Sequence, residues 1–332
     1  MQKAKLDPAS FYGQIPLLPH QLTQDLTPRD DVIVLCHLGV PRLDPESWEM
    51  QIDGLVAKPM RLRLADLRRF PQHRIESIHQ CAGSPLAPQE PKRRIVNVRW
   101  GGVRVSDVLA ECGVRPEAKY LWSDGADYGE FAGVAVERYT KDLPLSRLAS
   151  DVLIATELNG EPLRAENGFP ARLVVPGFYG TNSVKWLARM TLADRRSDSP
   201  FTTRWYNDAV VDGEGRVTAQ TTPVWAIASE SVIVSPAPEA RLSLGQECLI
   251  WGRAWADGGV SRVRISADDG GSWRDAKLQR QTERSWQRFS LPWTPDRPGP
   301  ARLCALATDS DGREQPLSGF RNAMHSVAVT VA

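Results

Sequence analysis

Ile78-His79-Gln80-Cys81-Ala82-Gly83-Ser84-Pro85-Leu86 sets one cysteine between an apolar run and a basic, proline-broken segment. Arg74 to Ile78 alternates as a short strand does, and Gly83 with Pro85 forbids regular structure, so the Cys81 thiol is expected at a strand end on an irregular loop. Loops of this kind present reactive side chains. A thiolate is a soft ligand for transition metals, and the lack of a nearby CxxC or HxxxH partner argues against a zinc site built from protein alone. If Cys81 holds a metal, something other than protein must supply the remaining ligands. The competing reading of the same residue is a small buried hydrophobe.

The whole chain sets bounds on what this loop can serve. Its 332 residues suffice for about two domains with full cores. With 41 basic against 40 acidic residues the net charge is +1, which gives no electrostatic ground for nucleic acid or an anionic membrane as partner. Cys36, Cys81, Cys112, Cys248 and Cys304 are scattered and odd in number, so a disulfide framework is not expected. No stretch approaches a membrane span, and Met1 to Leu22 lacks the apolar core of an export signal. The chain as written is therefore expected in the cytoplasm, and a processed periplasmic form would read the same way.

Residues 1–30 are polar and proline-rich and read as an irregular arm. Strands are expected over Asp31 to Leu38, Trp48 to Leu55, Val96 to Trp100, Tyr120 to Trp122, Ala132 to Val136 and Val152 to Leu158, the last ending in the turn pair Asn159-Gly160. Short helices are expected over Leu64 to Phe70, Leu143 to Leu148 and Asp107 to Cys112, the last with Ser106 as its N-cap and Gly113 as its stop. From about Pro223 helical spacing disappears. Short alternating runs recur at Val232 to Val234, Cys248 to Ala256, Val260 to Ser266, Gln287 to Leu291, Arg302 to Ala307 and Ser326 to Val331, the pattern of an immunoglobulin-like β-sandwich. Trp251, Trp255, Trp273, Trp286 and Trp293 fall there and read as sandwich core. The fold class is α+β: a mixed α/β domain over 1–225, then an all-β sandwich over 226–332.

The order of motifs resembles the sulfite oxidase family of molybdenum enzymes over nearly the whole chain. Cys81-Ala82-Gly83, then Val98 to Val103 and Val108-Leu109, is similar to that family's molybdenum-cysteine segment. Glu157 to Leu163, Asn167 to Arg172, Val175-Pro176-Gly177 and Val184-Lys185-Trp186 are similar to its pterin-binding signature, and the C-terminal part resembles its dimerisation domain. The resemblance implies a molybdopterin-dependent oxidoreductase that transfers an oxygen atom at a molybdenum centre ligated by Cys81. It also implies a homodimer and a redox partner such as a cytochrome. Arg172 and Lys185 match the residues on the phosphate and pterin sides of the cofactor, and an arginine fork suits a phosphate. Ser183 and Val184 are expected to contact the cofactor, as are His37, Asp127 and Asn167, the last standing where many relatives have histidine. Tyr139, ahead of Pro144-Leu145, matches the tyrosine whose hydroxyl faces the metal, with Tyr128 as the competing candidate.

Two departures bear on substrate. Leu35-Cys36-His37 replaces an Arg-Asn-His run, and Ser84-Pro85-Leu86 stands where sulfite oxidases continue with asparagine and paired arginines. Each charge-assisted hydrogen bond lost from a desolvated oxyanion site is worth about 1.5–3 kcal/mol. Sulfite or a related sulfur compound is the expected substrate. An S-oxide reductase on the same cofactor and a non-catalytic binding scaffold are the alternatives. Lys92, Arg93 and Arg94 are candidates to replace the missing charge, and Cys36 reads as a small apolar replacement.

Overall fold

Period-two alternation of apolar side chains dominates the sequence, and the chain folds accordingly into sheet. A computed structural model of the protein describes residues 4–7, 13–85, 92–148, 151–318 and 321–332; parts of the expected N-terminal arm and of the segment after the Cys81 turn, including Leu86, lie outside these. Among the described residues there are three short α-helices, Leu64–Leu67, Val105–Cys112 and Pro200–Thr203, so the expected mixture is weighted heavily toward strand. No helix among the described residues is long and apolar enough to cross a membrane.

The chain forms two compact units. One comprises Met1–Ile15, Ile33–Ile75 and Arg99–Trp225, the other Pro16–Val32, Glu76–Val98 and Ala226–Ala332. The first unit carries a sheet in the order Thr140–Pro144, Tyr120–Gly125, Leu187–Ala193, Glu49–Gly54, Met60–Arg63. Glu49–Gly54 shows why these residues make a strand: Met50 and Ile52 are buried in the core, while Glu49 and Asp53 face the other way and pair with Arg61 and Arg189. Val105–Cys112 buries Val105, Val108, Leu109 and Cys112 and stops at Gly113, whose φ of 67° places its N–H 3.1 Å from Leu109 O. Ser106 is not its cap, because the helix begins at Val105, two residues earlier than expected, with Arg104 in the capping position.

Two further expectations change. Asp31 to Leu38 is not a strand: after the 3₁₀ turn Arg29–Asp31 its backbone is irregular, with Val34 O accepting from Gly13 N and Leu35 O from a lysine. Leu143 to Leu148 is split between the end of strand Thr140–Pro144 and a 3₁₀ turn, Leu145–Arg147, at the helix-breaking Pro144.

The second unit holds two sheets, one ordered Glu230–Ser235, Cys248–Trp255, Gln287–Trp293, Lys277–Leu278, the other Arg241–Leu242, His325–Val331, Gly299–Asp309, Val260–Ser266, Arg274–Asp275. Both feed one apolar core that includes Ile233, Ile250, Val263, Phe289, Leu303 and Val327. Trp255 and Trp286 are buried, whereas Trp251 lies half-buried under Arg288, whose guanidinium carbon is 4.2 Å from the ring centroid. Early segments are built into this unit: Arg253 donates to Leu22 O and Thr23 O and pairs with Asp25 at 2.8 Å, and Ile78 N donates to Arg284 O at 3.1 Å. At Gly252 an added Cβ would lie 2.0 Å from Val232 O and 2.4 Å from Phe289 Cζ. Gly252→Ala is therefore expected to destabilise the protein by about 1–3 kcal/mol, read as a lower urea midpoint; an unchanged midpoint would show that the strands yield freely.

Candidate functional site

The first unit gathers a connected set of buried polar groups. Arg172 opens the strand Arg172–Val174, which pairs with Leu153–Leu158, and its side chain turns into the interior. Its Nη1 donates to Asn167 O and its Nη2 to Ser183 O, both at 2.9 Å, and the guanidinium lies 5.0 Å from the Trp100 ring centroid. Lys185 Nζ donates to Leu35 O at 2.7 Å, Glu166 O at 2.9 Å and Cys36 Sγ at 3.1 Å. Gly168, with φ of 108°, lets the chain pass close to both cations, since an added Cβ would sit 3.0 Å from Arg172 Cβ and 3.2 Å from Lys185 Cβ.

Burial sets the electrostatics here. It pushes Arg172 down to about 9 and lowers Lys185, partly offset in each by Cys36. Burial likewise raises the Asp127 carboxyl to about 7, with Lys185 opposing the shift. Among the described residues neither Arg172 nor Lys185 has a carboxylate within ion-pair distance, and the Asp127 carboxyl makes no hydrogen bond to another residue. A buried and a half-buried cation facing carbonyls, a thiol and an indole, beside a buried carboxyl, form a donor set that fits an anionic ligand with N–H groups of its own. A pterin carrying a phosphate answers that description.

Ser183 Oγ accepts from Val175 N at 3.0 Å, and Val184 is buried with its carbonyl accepting from Leu173 N. Tyr139 is buried, and its hydroxyl lies 2.7 Å from both Thr181 O and Thr181 Oγ1. His37 stacks on Tyr139 with ring centroids 5.3 Å apart, and its Nε2 is 2.5 Å from Tyr206 Oη; burial and then Lys185 lower its pKa to about 4, so it is neutral at pH 7. Tyr128, the competing candidate, instead donates to Ala4 O. Sequence reasoning missed the roles of Trp100, Thr181 and Tyr206, and no local signal marks them. It also missed Lys141, which is buried, donates to Phe201 O at 2.9 Å and is pushed down by burial to about 8. Cys36 is corrected: it is buried, but it accepts a hydrogen bond from an ammonium and is not merely an apolar filler.

Cys81 belongs to the second unit. It follows the strand Gln72–Gln80 directly and is half-buried, its N–H donating to Arg94 O at 2.9 Å and its Sγ accepting from Gly83 N at 3.3 Å. Burial raises its pKa, while the Gly83 N–H and the charges of Arg94 and Arg321 pull the other way. Arg321 Nε donates to Ala82 O at 2.5 Å, and Arg94 Nη1 donates to Gly83 O. Arg93 is corrected as a substrate candidate, because it is fully buried with Nε 2.7 Å from Glu230 Oε1. Lys92 is exposed.

In the same unit His325 Nδ1 accepts from Ile233 N at 3.3 Å, and burial, then Arg93, lower its pKa to about 3. Unfolded histidine takes a proton near pH ~6.5, whereas the folded ring refuses it. This contribution to stability is full above that pH and is lost as pH falls toward about 3. The gap in urea midpoint between wild type and His325→Gln is expected to narrow from about pH 7 to about pH 4. A constant gap would count against it.

Two families match the chain: residues 37–201 match the oxidoreductase molybdopterin binding domain, and residues 221–327 match the Mo-co oxidoreductase dimerisation domain. The chain is 30% identical to the mitochondrial sulfite oxidase of Drosophila melanogaster, over 99% of its own length and 64% of the relative's. It is 32% identical to that of Homo sapiens, over 95% and 63%. It thus spans less than two thirds of the length of these relatives. Among solved structures it is similar to the sulfane dehydrogenase SoxCD from Paracoccus pantotrophus, with a TM-score of 0.79 and 31% identity, covering 94% of this chain and 82% of that one. Motif order, fold and both domains agree, and the chain belongs to the sulfite oxidase family of molybdopterin-dependent oxidoreductases.

Proposed function

We propose that the protein transfers an oxygen atom to or from a sulfur compound, with Cys81 as the protein ligand to molybdenum. In this reading Arg172, Lys185, Asp127, His37, Asn167, Ser183 and Val184 hold the pterin. The observation that carries it is the pairing of buried Arg172 with half-buried Lys185, which among the described residues have no carboxylate counter-ion and so suit a phosphate-bearing ligand. When bound, molybdenum supplies two-electron redox chemistry, and the protein supplies position, charge and exclusion of water. Arg172 binds the anionic end in two bonds. Asp127, with its pKa raised by burial, accepts from N–H groups of the heterocycle. Tyr139 holds a proton at a fixed atom, because Thr181 orients its hydroxyl.

Substrate choice follows from what is missing. Leu35 stands where sulfite oxidases have arginine, Arg93 is engaged with Glu230, and the Arg94 guanidinium binds Gly83 O. These features favour a sulfur substrate that depends less on converging arginines than free sulfite does: a sulfane sulfur, as the name of the Paracoccus enzyme suggests for that protein, or an S-oxide reduced in the opposite direction. A cytochrome is the redox partner this reading expects. The C-terminal region, read as an immunoglobulin-like sandwich, is taken to join two copies, and a monomer by sedimentation would remove that part.

The deciding test is molybdenum per chain by elemental mass spectrometry, on protein made in a host that synthesises the cofactor, followed by rates with sulfite, sulfane and S-oxide substrates. About one metal per chain is expected. No molybdenum in folded wild-type protein would overturn the enzyme reading and leave a binding scaffold.

A further inference from the structure

Gln80, the last residue of the strand Gln72–Gln80, is fully buried. Its Oε1 accepts from Trp255 Nε1 at 3.0 Å, and its Nε2 donates to Glu230 Oε2 at 2.5 Å and to Ser84 O at 3.2 Å. The orientation of this amide is fixed by its neighbours, since indole N–H can only donate and a carboxylate can only accept. The bond to Ser84 spans the turn that carries Cys81. Glu230 also lies 2.7 Å from Arg93 Nε, and the adjacent Arg94 accepts from Cys81 N at 2.9 Å and donates through its own N–H to Ser84 Oγ at 2.6 Å. Both ends of residues 81–84 are thereby fastened to one buried hub. Its two anchors sit on rigid elements, for Glu230 and Trp255 face each other in register on paired strands. Among the described residues the thiol itself accepts only from Gly83 N, at 3.3 Å, so its place is set by the turn.

We propose that Gln80 is a positioning residue that holds the Cys81 thiol through this bridge to Glu230 and Trp255, a role that rests on Cys81 being the metal's ligand. It is distinct from any contact with cofactor or substrate, because the amide is used up within the hub and the turn. Removing it is expected to loosen the turn, which keeps its bonds to Arg94 and Arg321, while leaving the two sheets intact.

The test is alkylation of the cofactor-free protein by iodoacetamide, followed peptide by peptide by mass spectrometry. Cys248, half-buried on the strand Cys248–Trp255 of the same unit, serves as internal control. Gln80→Leu keeps roughly the volume and deletes three bonds; Trp255→Phe keeps an aromatic ring, smaller than the indole, and deletes one. Cys81 is expected to react about tenfold faster in Gln80→Leu as local opening becomes easier, and severalfold faster in Trp255→Phe, with Cys248 unchanged. Molybdenum per chain should fall in the same order. If Gln80→Leu does not fold, Trp255→Phe decides alone. An unchanged ratio of Cys81 to Cys248 reactivity in the folded variants, or acceleration of both cysteines together, would overturn the role. Wild-type protein without molybdenum would instead refute the metal reading, and the reactivity ratio would still decide whether Gln80 places the thiol.

Discussion

Cys81→Ser is expected to leave a folded protein whose molybdenum-dependent turnover falls by about 1000-fold or more, equivalent to about 4 kcal/mol of lost transition-state stabilisation. The substitution changes one atom, and the turn around it is held by groups that do not involve the sulfur: Arg94 O, Ser84 and the carbonyls of Ala82 and Gly83. Folding should therefore survive. What is lost is a soft, electron-rich donor, for a hydroxyl is harder and much less acidic than a thiol. Steady-state rates with whichever sulfur substrate the wild type uses, alongside molybdenum per chain, check this. A serine variant that keeps more than about a tenth of the rate would remove Cys81 from the ligands of the metal.

Arg172→Met is expected to lose the cofactor while sparing the fold. Two charge-assisted bonds to an anion, at about 1.5–3 kcal/mol each, amount to roughly 10²- to 10⁴-fold in retention. Among the described residues the same buried guanidinium has no counter-ion, so in the cofactor-free chain a methionine of similar volume should lower the urea midpoint only as far as its lost bonds to Asn167 O and Ser183 O require. The measurement is molybdenum and pterin remaining after prolonged dialysis of wild type, Arg172→Met and Arg172→Lys. Lysine restores charge but not the fork, and partial retention is the expected result. Full retention in Arg172→Met would place the anionic end of the ligand elsewhere.

Local pattern made much of this architecture legible. Met50 and Ile52 alternate with polar neighbours, and Gly113 stops a helix whose buried face is spaced at Val105, Val108, Leu109 and Cys112. Asp31 to Leu38 misled because its apolar residues suggested a ladder, whereas its carbonyls serve Gly13 and Lys185. The site divides in the same way. Arg172, Ser183 and Lys185 could be found through the family resemblance of the segments that carry them, which glycine and proline punctuate, and not through any pattern of their own. The fate of Arg93 could not: its carboxylate, Glu230, lies on a distant strand, and a basic tripeptide after a proline reads as solvated charge. Tyr206, which meets His37, is unmarked for the same reason.

The order in which the ribosome delivers the chain gives the interleaved units a further meaning. Residues 76–98, with Cys81, are made early, but the unit they belong to is completed only by Ala226–Ala332. Until Glu230 and Trp255 emerge, the amide of Gln80 lacks two of the groups that fix it, and the turn has only its bonds within residues 76–98. The contacts that close this unit are long-range ones, which form late and slowly. On the proposed ligand role of Cys81, metal loading is expected to follow completion of the chain, and a fragment ending at Trp225 would carry the cysteine without Glu230 and Trp255.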